Sequence, residues 1–258
     1  MLWRRHLRKV NRESSRKILC GDSIATENIY FPKKMKNTIC KKGNIHLIGV
    51  PKKYQAIISA RVLDGLDKAA GILNYKKNVG VAIFDAEYWD IHPKLNLSAH
   101  ARIYYIDIKI CFYRKDKNIN DIINVDLPLT IHHEFSHVVR ANTVGYGETL
   151  LDSFIDEGIA CFVEQSIISK QKIPYIQKVD NEQALWLEAK KHLSQKISSK
   201  LHGDWFFGTG TLTDWIGYRL GYLVVQQFMN KHNIGLDKLV RMSSKKILEG
   251  SGAENRLD

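Results

Sequence analysis

Residues 127–165 read LPLTIHHEFSHVVRANTVGYGETLLDSFIDEGIACFVEQ, and two features of this run decide both architecture and chemistry. The first is His133-Glu134-Phe135-Ser136-His137, an HExxH pattern inside a stretch of helical periodicity. Residues four apart stack on one helix face, so the two imidazoles can converge on one ion. Glu134 is offset by roughly 100° and stands beside that ion, within reach of a water. Pro128 fits a first helical turn, where its missing N–H has no partner to lose, and Gly145-Tyr146-Gly147 ends the helix expected over 128–142.

The second feature is Glu157, 20 positions after His137. Phe154, Ile155, Ile159, Ala160 and Phe162 surround it in sequence, and an unpaired charge in such company is costly. A metal accounts for that carboxylate better than solvent does. Gly158 lets another backbone approach closely. Thr149-x-x-Asp152 reads as a capping box opening a second helix that runs to about Lys170. Asp152 and Asp156 are candidate acceptors for the second imidazole nitrogens, and Asp156 also rivals Glu157 as a ligand. Both also suit a helix N-terminus, a reading at least as good as the acceptor role for Asp152. His132 points to another helix face and reads as structural. Cys161 reads as a small buried hydrophobe.

Working outward, Asn44–Val50 reads as a short strand stopped by Pro51. Ile58, Val62, Leu66, Ala69 and Leu73 repeat at helical spacing within 55–73. Strands are expected at 79–86 and, rich in aromatic and β-branched residues, at 102–114. A third helix is expected around 181–197, a Gly/Thr/Trp-rich loop at 203–213, and a fourth helix over TDWIGYRLGYLVVQQFMNKH. Strands first and helices afterwards indicate α+β.

The 258 residues carry a formal net charge of +12, unevenly placed. Residues 1–53 hold 14 Lys/Arg against three acidic residues, and the remainder is nearly neutral. This divides the chain into a basic N-terminal segment, 1–53, and a body, 54–258. Trp3, Leu7 and Val10 space like a short amphipathic basic helix, against which a solvated, frayed terminus is the favoured reading. Trp3, Tyr30 and Phe31 are the segment's aromatic residues, thin support for a nucleic-acid or anionic-membrane partner. No apolar run reaches the roughly 18–20 residues of a membrane span, and the N-terminus lacks a secretory h-region. Cys20, Cys40, Cys111 and Cys161 form no CxxC pair. Reduced thiols in a cytoplasmic protein are expected.

HExxH, nineteen intervening residues and a Glu in an E-G-x-A context resemble the gluzincin metallopeptidases, which include thermolysin and the one-zinc aminopeptidases. The whole stretch 127–165, with the downstream GYRLGYLVVQQF, is more closely similar to the YjaZ-like family of predicted zinc-dependent proteases. The likeness spans roughly 75–250. It implies a gluzincin-like domain with an upstream mixed β-sheet and a mostly helical C-terminal half. It implies one zinc per chain on His133, His137 and Glu157, with Glu134 as general base to a zinc-activated water and proton shuttle. Tyr218, in Tyr218-Arg219-Leu220-Gly221, matches the aminopeptidases' Y-x-K-G oxyanion tyrosine except at Leu220; Tyr222 is the alternative, and Tyr218 is favoured. The G-x-M-E-N segment that holds a free N-terminus is absent, which leaves endo- against exo-cleavage open. An edge strand upstream of the metal helix pairs with substrate in gluzincins, and 102–112 is the candidate here. The implied substrate is a peptide or unfolded protein. A metal-containing binding or regulatory protein with little turnover is the alternative, against which the retained Glu134 speaks. His2Glu geometry also accepts divalent ions other than zinc.

Overall fold

The computed structural model describes residues 38–40, 43–87, 91–92, 94–113, 115, 117–167 and 173–255. The N-terminal stretch around Trp3, read as a frayed terminus or a short basic helix, lies outside them.

A five-stranded sheet has the order β1-β2-β3-β5-β4. It comprises β1 (Thr38–Cys40), β2 (Gly43–Ile48), β3 (Gly80–Asp85), β4 (Leu97–Arg102) and β5 (Tyr105–Ile110). The central β2, β3 and β5 are parallel, while β1 and β4 run antiparallel at the two ends. Helix α1 (Lys52–Ile72) makes the crossover between β2 and β3, the connection that parallel neighbours require. Its apolar stripe is the one read from sequence: Ile58, Val62, Leu66, Ala69 and Leu73 are all buried.

The single strand expected at 102–114 is instead an antiparallel hairpin. Arg102 pairs with Tyr105 across a two-residue turn, so β4 ends where the long strand was expected to begin. Ile103 and Tyr104 form that turn and are exposed. A turn built from a β-branched and an aromatic residue carries none of the usual Gly, Asn or Asp signals. The consequence is topological: β5 lies between β3 and β4, and β4 is the edge strand.

The second half is helical, as expected: α2 (Leu127–Ala141), α3 (Leu150–Ser166), α4 (Glu182–Lys190), α5 (Ser199–Phe207), α6 (Ile216–Lys231) and α7 (Ser244–Ser251). Thr149 and Asp152 close the capping box that opens α3. The third helix stops at Lys190, short of 197, and the loop expected at 203–213 begins only after Phe207, where helix α5 ends. A π-helical turn, Ile122–Asp126, leads into α2. Cys111 and Cys161 are buried free thiols. Among the described residues no helix is long and apolar enough to cross a membrane.

Helices α3 and α6 cross glycine on glycine. A Cβ at Gly158 would lie 2.3 Å from the Gly221 carbonyl, and one at Gly221 would lie 1.9 Å from the Phe154 oxygen. Backbone cannot yield as a flexible side chain does. Gly221→Ala is therefore expected to cost about 3 kcal/mol or more by overpacking, measured by urea unfolding. Gly71→Ala in α1, where a Cβ meets nothing within 4 Å, should be neutral or stabilise by up to about 1 kcal/mol.

Candidate metal centre

Helix α2 presents His133 and His137 on one face, with ring centroids 5.1 Å apart. Helix α3 brings Glu157 against both. Its Oε2 lies 3.2 Å from His133 Nε2 and 3.5 Å from His137 Nε2. One ligand atom from each of the three residues lies within 4.8 Å of the others. Two imidazoles and one carboxylate are a donor set that suits a catalytic zinc and leaves a position open.

The charges of the trio hold one another. Burial alone would lower both imidazole pKa values, yet the Glu157 carboxylate, joined at His133 by Glu164, raises them, His133 well above its usual range. Burial would raise Glu157, and the two imidazoles instead hold it far below the usual carboxylate range. A cation among these donors replaces the protons in that balance.

His133 is oriented from behind by a residue absent from the sequence reading. Its Nδ1 lies 3.1 Å from Glu164 Oε2, which leaves Nε2 turned toward Glu157 and His137. Glu164 is buried and also accepts the Tyr175 hydroxyl. The signal was there in principle: Glu164 follows Glu157 by seven residues, two turns along the same face of an apolar helix. The two aspartates expected in this role serve elsewhere. Asp152 caps α3 through the Thr149 N–H and hydroxyl. Asp156 accepts from Arg140 Nε at 2.6 Å, and Arg140 also donates to the Val240 and Met242 carbonyls. Asp156 is therefore committed to a structural ion pair and is not brought into the trio.

Glu134 is buried and lines a cleft with His133, Tyr218, Tyr175, Trp215 and the edge strand residues 97–99. Burial, followed by the Glu157 carboxylate, pushes the Tyr218 hydroxyl well above its usual pKa, so it stays a donor. Tyr222 is outside the cleft lining, packed with Cys161, Ile173 and Ile176, and its hydroxyl accepts from Gln226. Of the two tyrosines, Tyr218 is the one in the cleft. His132 turns away from the trio and donates through Nδ1 to the Pro128 carbonyl. Cys161 is fully buried, and burial raises its thiol pKa. At the far end of the cleft, burial raises the Asp126 carboxyl, partly offset by a hydrogen bond from Asn96. Trp215 takes a left-handed backbone, φ 68°, at the start of α6. That conformation is costly for a bulky side chain, and it places the indole beside His92 and Tyr175.

A family model described as "Predicted Zn-dependent protease (DUF2268)" matches residues 67–249. Among curated proteins, the "Uncharacterized protein YjfC" of Bacillus subtilis (strain 168) is 26% identical over 143 residues, 49% of this chain and 47% of the relative. The chain thus spans about half the length of that curated relative. No solved structure matches.

The Arg140–Asp156 pair gives a test that separates packing from metal chemistry. Asp156→Ala strands a guanidinium whose side chain is 3% exposed, and is expected to cost about 3 kcal/mol in denaturant unfolding. Zinc content of the folded fraction, read by atomic emission, should stay at the parent level.

Proposed function

The chain belongs to this family of predicted zinc-dependent proteases, and on that premise we propose that it is a metallopeptidase hydrolysing peptide bonds at the His133–His137–Glu157 centre. The observation that carries the reading is the convergence of three ligand atoms within 4.8 Å, in a cleft that also holds Glu134. A zinc ion held by His133, His137 and Glu157 would supply Lewis acidity toward the scissile carbonyl and would lower the pKa of a water to about 7.

The chain's own residues supply the rest. Glu134 accepts the proton of the attacking water on its carboxylate and returns it to the leaving amine. The Tyr218 hydroxyl donates to the developing oxyanion, where lost donors cost about 3–4 kcal/mol in well-studied enzymes. Glu164 orients His133, and Tyr175 orients Glu164. The substrate lies extended along β4, whose outer edge is unpaired among the described residues and whose residues 97–99 line the cleft. This replaces the 102–112 strand as the pairing edge. Peptides or unfolded segments, which can add a strand, are the substrate class, and the cytoplasm is the location, in keeping with the buried free thiols of Cys111 and Cys161.

Paired measurements of zinc content and peptide hydrolysis test the reading. Glu134→Gln should keep about one zinc per chain and lose turnover by a factor of about a hundred or more. Glu157→Ala should lose the metal. Full zinc retention in Glu157→Ala sinks the ligand assignment, and unchanged turnover in Glu134→Gln sinks the mechanism. Glu164→Gln should bind zinc roughly 10–100-fold more weakly in chelator competition while staying folded.

A further inference from the structure

Among the described residues eight large hydrophobic side chains are exposed, and four of them gather at one end of the sheet. Ile103 and Tyr104 form the turn between β4 and β5, while Val144 and Tyr146 lie in the turn after α2. Their exposures run from 39% to 61%. Apolar residues scattered singly are ordinary at a surface, whereas a gathered set marks a contact.

Ordered backbone holds both turns. Asn142, the residue after α2, donates from Nδ2 to the Ile103 carbonyl, and to the Val138 carbonyl at 2.8 Å. One side chain thus ties the hairpin turn to the end of the helix. The Val144 and Gly145 N–H groups both donate to the Arg140 carbonyl, at 2.8 and 3.1 Å. Gly145 takes φ 91°, the positive-φ backbone that commonly ends a helix. Val144 and Tyr146 therefore stand exposed on a fixed turn.

Positive charge borders the four. Lys76 and Lys77, in the loop that enters β3, are exposed and form no ion pair among the described residues. Lys77 Nζ lies 5.7 Å from the centre of the Tyr104 ring. Arg102, exposed beside the hairpin turn, shares its charge with Asp107 at 2.8 Å. Burial raises the Tyr146 phenol pKa, and the nearby Arg102 charge opposes part of that rise. The N-terminal segment adds charge of the same sign, with 14 Lys/Arg against three acidic residues in 1–53.

We propose that these two turns dock the protein on a bilayer surface rich in anionic lipid. The Ile103 and Val144 side chains enter the boundary between headgroups and acyl chains, and the two tyrosines lie at headgroup level with their hydroxyls in water. Lys76, Lys77 and Arg102 meet the lipid phosphates, each basic residue near the surface favouring an anionic leaflet. The cleft stays clear of the bilayer. Asn96 lines it and Ile103 forms the turn, seven residues apart, which is about 24 Å of extended strand. The inference does not depend on the peptidase reading.

The test is co-sedimentation of the full chain with vesicles of phosphatidylcholine, and of phosphatidylcholine and phosphatidylglycerol in equal parts. The parent should bind the anionic vesicles at least about tenfold tighter than the neutral ones. Replacing Ile103, Tyr104, Val144 and Tyr146 together by serine should weaken that binding about tenfold or more. The Ile103 carbonyl that Asn142 holds is backbone and survives the change. Lys76→Glu with Lys77→Glu, at exposed positions, should weaken binding about tenfold as well, and decides the matter if the serine variant fails to fold. No binding by the parent, or equal binding to both vesicles, overturns the proposal. Anionic binding unchanged in the folded serine variant overturns it too, since the N-terminal segment then suffices. A parent that is dimeric by light scattering, with a monomeric serine variant, overturns it in favour of a contact between copies.

Discussion

Gly158 of α3 and Gly221 of α6 meet with no space for a single carbon between their backbones, and the geometry of the centre depends on that contact. Glu157 precedes Gly158 by one residue and Tyr218 precedes Gly221 by three. The close approach therefore brings a carboxylate of one helix and a phenol of the other into a common cleft. Larger residues at the crossing would part the helices toward the ordinary 8–10 Å axial spacing and carry Tyr218 away from Glu157. Phe154, one turn before Gly158, packs edge-on against Trp205 and Phe206 of α5. The crossing is thus supported from outside by aromatic packing.

Around that crossing, α3 places two glutamates two turns apart, and between them they hold both nitrogens of His133. Buried carboxylates are unfavourable unless paired, and here each has a stated partner. Glu157 has the two imidazoles, while Glu164 has His133 and the Tyr175 hydroxyl. Tyr175 in turn packs edge-on against His133 and tilted against Tyr218. The side chains that set the orientation of His133 are therefore also walls of the cleft beside it. That arrangement suits chemistry requiring a preorganised site.

Much of this was legible in the sequence, for identifiable reasons. HExxH needs only the helical repeat to bring its histidines together, and Glu157 stands out because its neighbours are apolar. The α1 stripe and the Thr149–Asp152 box are local patterns and hold in the structure. What escaped depends on contacts between distant segments. Glu164 becomes a partner of His133 only once α3 lies across α2. Tyr175 arrives from beyond the end of α3, and no spacing rule connects it to Glu164. Asp156, one residue before the ligand glutamate, faces Arg140 because successive helical positions diverge by roughly 100°. The hairpin at Ile103-Tyr104 escaped because its turn residues are strand formers.

The hairpin matters because it makes β4 the edge strand, and β4 is tied to the metal helix at both ends. Asn96, just before β4, donates to Asp126, just before α2. Asn142, just after α2, donates to the Ile103 carbonyl, just after β4. From Asn96 to Ile103 an extended chain spans about 24 Å. From Asp126 to Asn142 a helix rises about 24 Å. Strand and helix are thus matched in length and run in the same direction, with an asparagine closing each end. A slip of one residue in β4 would break both ties and turn every side chain on the strand to its other face. The outer edge of β4, unpaired among the described residues, is consequently held in one register beside His133 and Glu134. The tie nearer the cleft is the Asn96–Asp126 pair itself, which fixes where the strand begins against the helix.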